Sequence, residues 1–200
     1  MELVERAKAI ILKPRETWET IRSEKVTVAE LFTSYACILA VIPSVASFIG
    51  LSLIGIGVPF IGWWRQPVIH GIGHIVLSYI LSLAGVLITT YIAAMVAPHF
   101  GSRRDMTAAA KAVVYSFTPV WVAGILNIFP PLGTISWILG LYSLYLLFLG
   151  LPLMMETPAE KKTGYVVVVV AVTILVMITI SIMGGLFLAG ARVAGMAGGL

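Results

Sequence analysis

Residues 165–189, YVVVVVAVTILVMITISIMGGLFLA, form a stretch of twenty-five residues without a single charged side chain. Roughly 20 apolar residues cross the hydrocarbon core of a bilayer as a helix, so this stretch predicts a transmembrane helix. The composition of the whole chain agrees. Of its 200 residues, 60% are hydrophobic and 11% are charged, whereas a soluble domain carries roughly 25% charged residues. The sequence therefore predicts an all-α integral membrane protein.

Five apolar stretches are long enough to cross a bilayer, and we number them spans 1 to 5. They cover approximately residues 31–57, 68–97, 107–126, 132–152 and 165–189. The link between spans 3 and 4, NIFPPLG, is short and uncharged. Pro130 and Pro131 bar a continuous helix there, and Gly133 allows a tight reversal. We therefore expect spans 3 and 4 to form an antiparallel hairpin.

Basic residues are distributed unevenly around the five spans. Of the thirteen lysines and arginines, six lie in residues 1–30, three in residues 103–111 and two in residues 161–162. The segments on the opposite side of the membrane hold only two: Arg65 in the loop between spans 1 and 2, and Arg192 in the C-terminal tail. Cytoplasmic segments are enriched in lysine and arginine, so this pattern predicts a cytoplasmic N-terminus and an external C-terminus.

Residues 1–30 differ from the rest of the chain because they hold twelve of its twenty-two charges, six of each sign. Their apolar residues recur at helical spacing, which predicts an amphipathic cytoplasmic arm. Two arrangements fit this arm: it binds the membrane surface or a cytosolic partner, or it packs as a cover against the bundle. The domain organisation is then the arm at 1–30, a membrane domain at 31–190 and a short external tail at 191–200.

The sequence lacks the chemical groups that would indicate an enzyme or an ion-coupled transporter. No acidic or basic residue lies in the middle of a span, where ion-coupled transporters keep such groups. The sequence contains no zinc-protease, serine-hydrolase or phosphate-loop motif. We therefore predict a non-enzymatic protein without a cofactor. The formal net charge of +4 comes from basic residues at the ends of the apolar segments. Their position predicts contact with the lipid bilayer and no binding of nucleic acid.

His70 and His74 are the only pair with the spacing of metal ligands. Residues four apart on a helix share one face, and zinc sites use that spacing together with further ligands. No cysteine or carboxylate lies near them in the sequence. The pair is therefore either a partial metal site or two histidines at the membrane interface.

Prolines and small residues inside the spans suggest how the helices bend and pack. Pro43 in span 1 and Pro119 in span 3 each remove a backbone hydrogen bond and should kink their helices, which can shape a cavity. Ser181, Gly185 and Ala189 recur every four residues in span 5. Small residues at this spacing let helices approach closely, either within the bundle or in a homo-oligomer.

The segments KPRETWETI and IPSVASFIG, together with tyrosines, prolines and glycines of spans 3 to 5, recur in an order that resembles the Yip1 domain family over nearly the whole chain. The segment KPRETWETI resembles the Pro-x-x-Thr-Trp opening of prokaryotic members, and IPSVASFIG, which contains Pro43, resembles the first span of bacterial inner-membrane relatives. The remaining positions that carry the resemblance lie in spans 3 to 5: Tyr115, Pro119, Pro130, Gly133, Tyr142, Tyr145, Gly150, Pro152, Pro158, Lys161 and Tyr165.

The resemblance implies five spans, a cytoplasmic N-terminus and the inner membrane of a prokaryote. Eukaryotic members associate with Rab-type GTPases, but this chain lacks their long N-terminal region and reads VVYSFTPV in place of their Asp-Leu-Tyr-Gly-Pro motif. That role is therefore not implied. Three functions stay open: a scaffold, adaptor or membrane-organising protein with a possible cytosolic partner; a channel or passive transporter through a cavity between kinked helices; and a metal-dependent protein based on His70 and His74.

Overall fold

The computed structural model describes residues 2–58, 60 and 62–197. Five helical stretches in this part of the chain are long and apolar enough to cross a membrane. They are Val28–Ile54, Val68–Phe100, Met106–Ile128, Pro130–Met154 and Ala159–Phe187. The predicted fold class and the five spans are confirmed, and the ends of the spans lie within about six residues of those expected.

The arm consists of two helices, Leu3–Leu12 and Pro14–Ser23, which pack against each other and against the bundle. Pro14 occupies the first turn of the second helix, where its missing N–H has no partner to lose. Ile10, Trp18 and Ile21 on the inner faces are fully buried. Of the two arrangements that the sequence allows, the structure therefore shows the arm packed against the bundle.

Span 3 is the central helix. Every residue from 109 to 119 is buried. Alanines dominate the first half of this helix, and their small side chains let neighbouring helices approach its backbone. Span 5 lies against span 2, where a β-carbon at Gly85 would fall 2.5 Å from Cδ1 of Ile180. The outer face of span 5 is exposed, as expected for a helix that contacts lipid.

Spans 1 and 3 are interrupted close to their prolines. In span 1 the helix breaks at Ala40, three residues before Pro43, and in span 3 it breaks at Phe117, two residues before Pro119. A proline has no N–H to donate, so the helical ladder opens on its N-terminal side. The segments of span 1 are Val28–Leu31, Phe32–Ala36, Cys37–Leu39, Val41–Phe48 and Ile49–Ile54, and those of span 3 are Met106–Ser116, Thr118–Ala123 and Gly124–Ile128.

The loop between spans 1 and 2 forms a small antiparallel β-hairpin that the sequence did not predict. Its strands are Ile56–Val58 and Gly62–Trp64, with Ile56 opposite Trp64. Gly55 precedes the first strand with a φ of 90°, a conformation that favours glycine. Trp63 Nε1 then donates a hydrogen bond to the carbonyl oxygen of Ile54 at 3.0 Å, which ties the hairpin to the end of span 1.

The two ends of the bundle differ in their contacts. At the arm end, the arm meets two links, residues 101–105 and 155–158. The far end carries the β-hairpin and the turn between spans 3 and 4. The remaining segments are Val68–Val96 and Ala97–Phe100 in span 2, Pro130–Leu132 in the turn, Gly133–Gly140 and Tyr142–Met154 in span 4, and Ala159–Lys161 and Lys162–Ala197 in span 5.

Span 5 runs from the arm end to the far end and continues as a helix to Ala197. The sequence placed its end near Ala189 and an external tail at 191–200. The helix therefore extends into the range assigned to the tail, and residues 198–200 lie outside the described residues.

Candidate functional site

A buried lysine in the central helix holds the arm against the bundle. Nζ of Lys111 donates a hydrogen bond to the carbonyl oxygen of Ile21 at 2.9 Å and a second one to the carbonyl oxygen of Glu24. Both carbonyls lie at the C-terminal end of the second arm helix, where the helix dipole is negative and Ile21 accepts only the N–H of Glu24, at 3.3 Å, from the backbone. The ammonium group therefore caps the arm helix and joins it to span 3.

Arg6 connects the two arm helices to each other and to span 3. The side chain of Arg6 is buried and forms an ion pair with the carboxylate of Glu24. Its guanidinium carbon also lies 5.7 Å from the centre of the Tyr115 ring, within the range of a cation–π interaction. Arg6 thus binds the side-chain carboxylate of Glu24, and Lys111 binds the backbone carbonyl of the same residue.

The Trp18 ring packs against the backbone of Gly150, in space that any larger residue at position 150 would occupy. The indole is 1% exposed, and a β-carbon at Gly150 of span 4 would lie 2.4 Å from its Cζ2 atom. The Trp18 ring also meets Tyr115 edge to face, with 6.5 Å between the ring centres. The contact of arm, span 3 and span 4 therefore depends on the absence of a side chain at position 150.

Two further tyrosines contribute hydrogen bonds: Tyr142 binds the arm, and Tyr35 of span 1 binds span 3 at its helix break. Tyr142 of span 4 donates its hydroxyl hydrogen to the carbonyl oxygen of Ile11 at 3.1 Å. The Thr118 hydroxyl donates to the carbonyl of Tyr115 at 2.7 Å, the carbonyl that Pro119 cannot pair. The hydroxyl of Tyr35 must then be the donor to Thr118, at 2.9 Å.

The two arm-end links are joined to each other and to the arm. The hydroxyl of Ser102 in one link donates to the hydroxyl of Thr157 in the other at 2.9 Å. Arg22 of the arm lies 3.5 Å from a carboxylate oxygen of Glu156. These contacts show that the three segments form one continuous surface, which we call the arm-end surface.

Asp105 begins the central helix Met106–Ser116. Its carboxylate accepts hydrogen bonds from the N–H groups of Thr107 at 2.9 Å and Ala108 at 3.0 Å, and it pairs with Arg103 at 2.7 Å. The pKa of Asp105 is lowered from its ordinary value, above all by the hydrogen bond from Ala108, although partial burial opposes the shift. The charged carboxylate is therefore part of the folded structure of this link.

Family positions at the start of span 5 also have packing roles. The side chain of Tyr165 is fully buried, and its hydroxyl donates to the carbonyl of Ala93 in span 2 at 2.7 Å. Pro158 packs on Gly101 of the other link, where φ is 69° and a β-carbon would lie 3.3 Å from the proline ring. Lys161 is exposed.

The remaining family positions occur at helix breaks and turns. Pro43 packs against span 3, since a β-carbon at Gly124 would lie 2.5 Å from its Cβ atom. Pro130 opens the turn after span 3, and Gly133 begins the first helix of span 4. Pro152 lies in the last turn of that span. Tyr145 is partly exposed, and its ring packs beside that of Tyr142 at 5.4 Å.

His70 and His74 lie near the far end, in the first turns of span 2. His74 is buried and its ring stacks beside Phe187 of span 5, with 6.3 Å between the ring centres. Within the described residues, no group of three or more histidine, cysteine, aspartate or glutamate side chains has the geometry of a metal site. The structure thus brings no third ligand of these types to the pair, and the metal site stays a prediction.

A cavity of about 250 Å³ lies between the spans in the far half of the bundle. Pro43 and Phe117 border it, so it is adjacent to both helix breaks. Its polar lining consists of three hydroxyls and one amide, from Ser82, Ser136, Ser181 and Asn127. The arm half of the bundle contains the uninterrupted buried run 109–119 instead.

Sequence reasoning missed the residues that hold the arm: Arg6, Glu24 and Lys111. Lys111 counted only as a positive charge near a span end, and Arg6 and Glu24 counted only as charges in the arm. Their partners lie 87 and 18 residues away in the chain, which no local pattern encodes. The alanine-rich first half of span 3 was the available signal, because small residues are enriched at helix–helix contacts.

Five membrane-spanning helices with a packed arm define a multi-pass α-helical membrane protein. The Yip1 domain matches residues 8–196. This chain therefore belongs to the Yip1 domain family, as the resemblance in the sequence suggested.

Two curated relatives, both described as inner membrane protein YohC, come from Escherichia coli strains K12 and O6:H1. Each is 24% identical to this chain over 176 residues, which cover 82% of this chain and 86% of the relative. No solved structure matches the chain.

Proposed function

We propose that this protein is a non-enzymatic membrane scaffold or adaptor that presents the arm-end surface to the cytoplasm. The observation that carries the proposal is the fixed position of the arm. Lys111, Arg6 and Trp18 attach the arm to the bundle, and Arg22 attaches it to the second link. A surface built from three chain segments, held in one geometry by buried contacts, is preorganised for a partner and loses little conformational entropy on binding.

We also place the protein in the inner membrane of a prokaryotic cell. The name of the two E. coli relatives supports this location, and the lysine and arginine count supports an arm end that faces the cytoplasm. The contact with the lipid bilayer follows from the five apolar spans.

Self-association through span 5 is a further part of the proposal. A β-carbon at Gly184 or Gly185 would have nothing within 4 Å, so the small-residue face of span 5 is unfilled at these positions. Close helix packing between two copies would fill it. In span 2, by contrast, Gly85 is already packed against span 5 of the same chain.

A passive channel is the second candidate, because a cavity lined by Ser82, Asn127, Ser136 and Ser181 lies beside both helix breaks. Hydroxyl and amide groups at membrane depth can line a path for a small polar solute. The buried run 109–119 favours the scaffold, since a path would have to open through it.

Flux through proteoliposomes separates the two functions. For a scaffold, we expect purified protein in sealed liposomes to pass glycerol and potassium ions no faster than empty liposomes do. Flux above that level, abolished by a Ser82→Leu, Ser136→Leu double variant that still elutes as a single species, would instead establish the channel.

In-cell crosslinking tests the adaptor. Glu5→Lys with Lys25→Glu changes two exposed arm charges and leaves the buried contacts in place. We expect crosslinked partners to decrease in this variant and to persist in Phe60→Ser, which changes an exposed residue at the far end. Equal crosslinking in both variants contradicts the adaptor role.

A further inference from the structure

A second cavity lies at the arm end, between the arm and the ends of two membrane spans. It has a volume of about 360 Å³ and three walls: Arg15, Trp18 and Glu19 from the second arm helix, the last two turns of span 4, and the first turn of span 5 with Lys162 and Thr163. This position is the level at which the apolar surface of the spans gives way to charged residues.

The charged side chains that line this cavity have no partner within the described part of the chain. In the described part of the chain, Arg15, Lys162 and Glu19 form no ion pair and no side-chain hydrogen bond. The indole N–H of Trp18 is buried and has no acceptor among the described residues. That N–H has no accessible surface, so the groups of this cavity that are free to bind a ligand are the side chains of Arg15 and Lys162.

The neighbouring cavity at the arm end shows the opposite pattern. It is lined by Arg22, Arg103 and Lys111, and each of these cations has a partner within the chain. Arg22 pairs with Glu156, Arg103 pairs with Asp105, and Lys111 binds two backbone carbonyls. The two arm-end cavities therefore differ: the cations of this one are paired within the chain, whereas Arg15 and Lys162 of the other are not.

The apolar part of the cavity that Arg15 and Lys162 line continues onto the lipid-facing surface. Phe148 of span 4 lines the cavity and is 51% exposed, and Leu153 lies one to two turns closer to the arm end. Val166 of span 5 lines the opposite wall, and the adjacent Val167 is 58% exposed. A ligand in this cavity would therefore have a polar part near the two cations and an apolar part that extends into the bilayer.

We propose that this cavity binds an anionic phospholipid of the cytoplasmic leaflet. Arg15 and Lys162 hold the phosphate, because together they exceed the single carboxylate of Glu19 and leave a net positive charge. The Trp18 ring forms part of the wall beside the two cations. An acyl chain lies along Phe148 and Leu153. This inference does not depend on the scaffold role, since a channel would accommodate the same lipid.

Native mass spectrometry of the purified full chain with added phosphatidylglycerol tests the proposal. We expect resolved phosphatidylglycerol adducts, and an Arg15→Gln, Lys162→Gln double variant that binds roughly 30-fold more weakly, because each cation near an anionic lipid contributes about a factor of five. Phosphatidylcholine should bind the wild-type chain more weakly than phosphatidylglycerol does. Excess inorganic phosphate should leave the adducts unchanged.

Two further variants separate lipid binding from a general change in charge or stability. Lys25→Gln with Lys161→Gln removes two exposed cations of the arm end that do not line the cavity, and it should bind as the wild type does. Thr163→Phe narrows the cavity, keeps both cations and should lose the adducts while its thermal unfolding is unchanged. The proposal is overturned if both double variants lose binding equally, if Thr163→Phe binds normally, or if phosphate competes with the lipid.

Discussion

At the scale of single residues, two glycines in helical spans show how much depends on the space around a backbone. Gly150 and Gly185 both lie inside apolar helices, and the sequence alone does not distinguish them. In the structure, a β-carbon at Gly150 would overlap the Trp18 ring, whereas one at Gly185 would meet nothing within 4 Å. The resemblance to the family singled out Gly150, and the close approach of Trp18 supplies a physical reason for glycine at that position.

We expect Gly150→Ala to lower the free energy of unfolding by about 1–3 kcal/mol, the usual cost of adding a methyl group to a packed site. The measurement is thermal unfolding of the purified protein in detergent, followed by tryptophan fluorescence. Gly185→Ala is the matched control, and it should keep or raise the Tm because alanine favours the helix.

A double-mutant cycle assigns this effect to one contact. When Trp18→Phe is combined with Gly150→Ala, the loss should be smaller than the sum of the two single losses, because the smaller ring leaves room for the methyl group. Additive losses would mean that Gly150 acts through something other than Trp18.

Asp105 gives a pH dependence with a defined direction. Its pKa is lowered in the folded protein from the reference value of 3.8, so the charged carboxylate stabilises the fold above about pH 4. That contribution is lost as the pH falls through the folded pKa. Asp105→Asn keeps an N-capping side chain but loses the charge. Its Tm should therefore lie below that of the wild type at pH 7, and the difference should narrow as the pH falls to 3.

Glu160→Gln is the control for this pH series. Glu160 is an exposed carboxylate with no ion pair in the described part of the chain, so its replacement should shift the Tm little at either pH. A gap between Asp105→Asn and the wild type that stays constant from pH 7 to pH 3 would show that the charge of Asp105 is not the stabilising group.

At the scale of elements, the arm is a structural part of the bundle. Its buried face includes Ile10, Trp18 and Ile21, and its C-terminal carbonyls are bound by Lys111. The sequence predicted the helical character of the arm correctly, because apolar spacing is a local property. It left the docking of the arm open, because docking depends on contacts with spans 3 and 4, far away in the chain.

We expect Lys111→Met to loosen the arm while the spans stay folded. The change removes the Lys111 donor from the Glu24 carbonyl and leaves the Ile21 carbonyl with only the backbone N–H of Glu24, at a cost of about 1–3 kcal/mol for a buried acceptor. Limited digestion with a glutamate-specific protease should then cleave after Glu16 and Glu19 faster than in the wild type. Lys161→Met, at an exposed lysine, should be digested at the wild-type rate. Equal rates for Lys111→Met and the wild type would show that the cap does not hold the arm.

Helix breaks and loops differ in how far local sequence determines them. Pro43 and Pro119 predicted two interruptions, which the structure places at Ala40 and Phe117. The hairpin of Ile56–Val58 and Gly62–Trp64 was not predicted, because two strands of three residues have too little alternation to recognise. Its register depends on the geometry of the turn instead.

At the scale of the whole molecule, hydropathy predicted the number and order of the spans because each must satisfy its own backbone hydrogen bonds in lipid. Their arrangement was beyond such reasoning. Span 3 is central because its alanines admit close neighbours on every side, and span 5 is peripheral because its bulky aliphatic face meets lipid. The arm-end surface likewise combines three segments that only the folded bundle brings together.

The orientation of the bundle is the prediction that concerns the molecule as a whole. Eleven of the thirteen lysines and arginines lie in the arm, in residues 103–111 or at residues 161–162, so we expect the arm end to face the cytoplasm. In a Cys37→Ser background, which removes the single native thiol, cysteines introduced one at a time at Lys161 and Phe129 report the two ends. A membrane-impermeant maleimide added to intact spheroplasts should label Phe129→Cys and not Lys161→Cys. Inverted vesicles should show the reverse pattern, and labelling of Lys161→Cys from outside would contradict the predicted orientation.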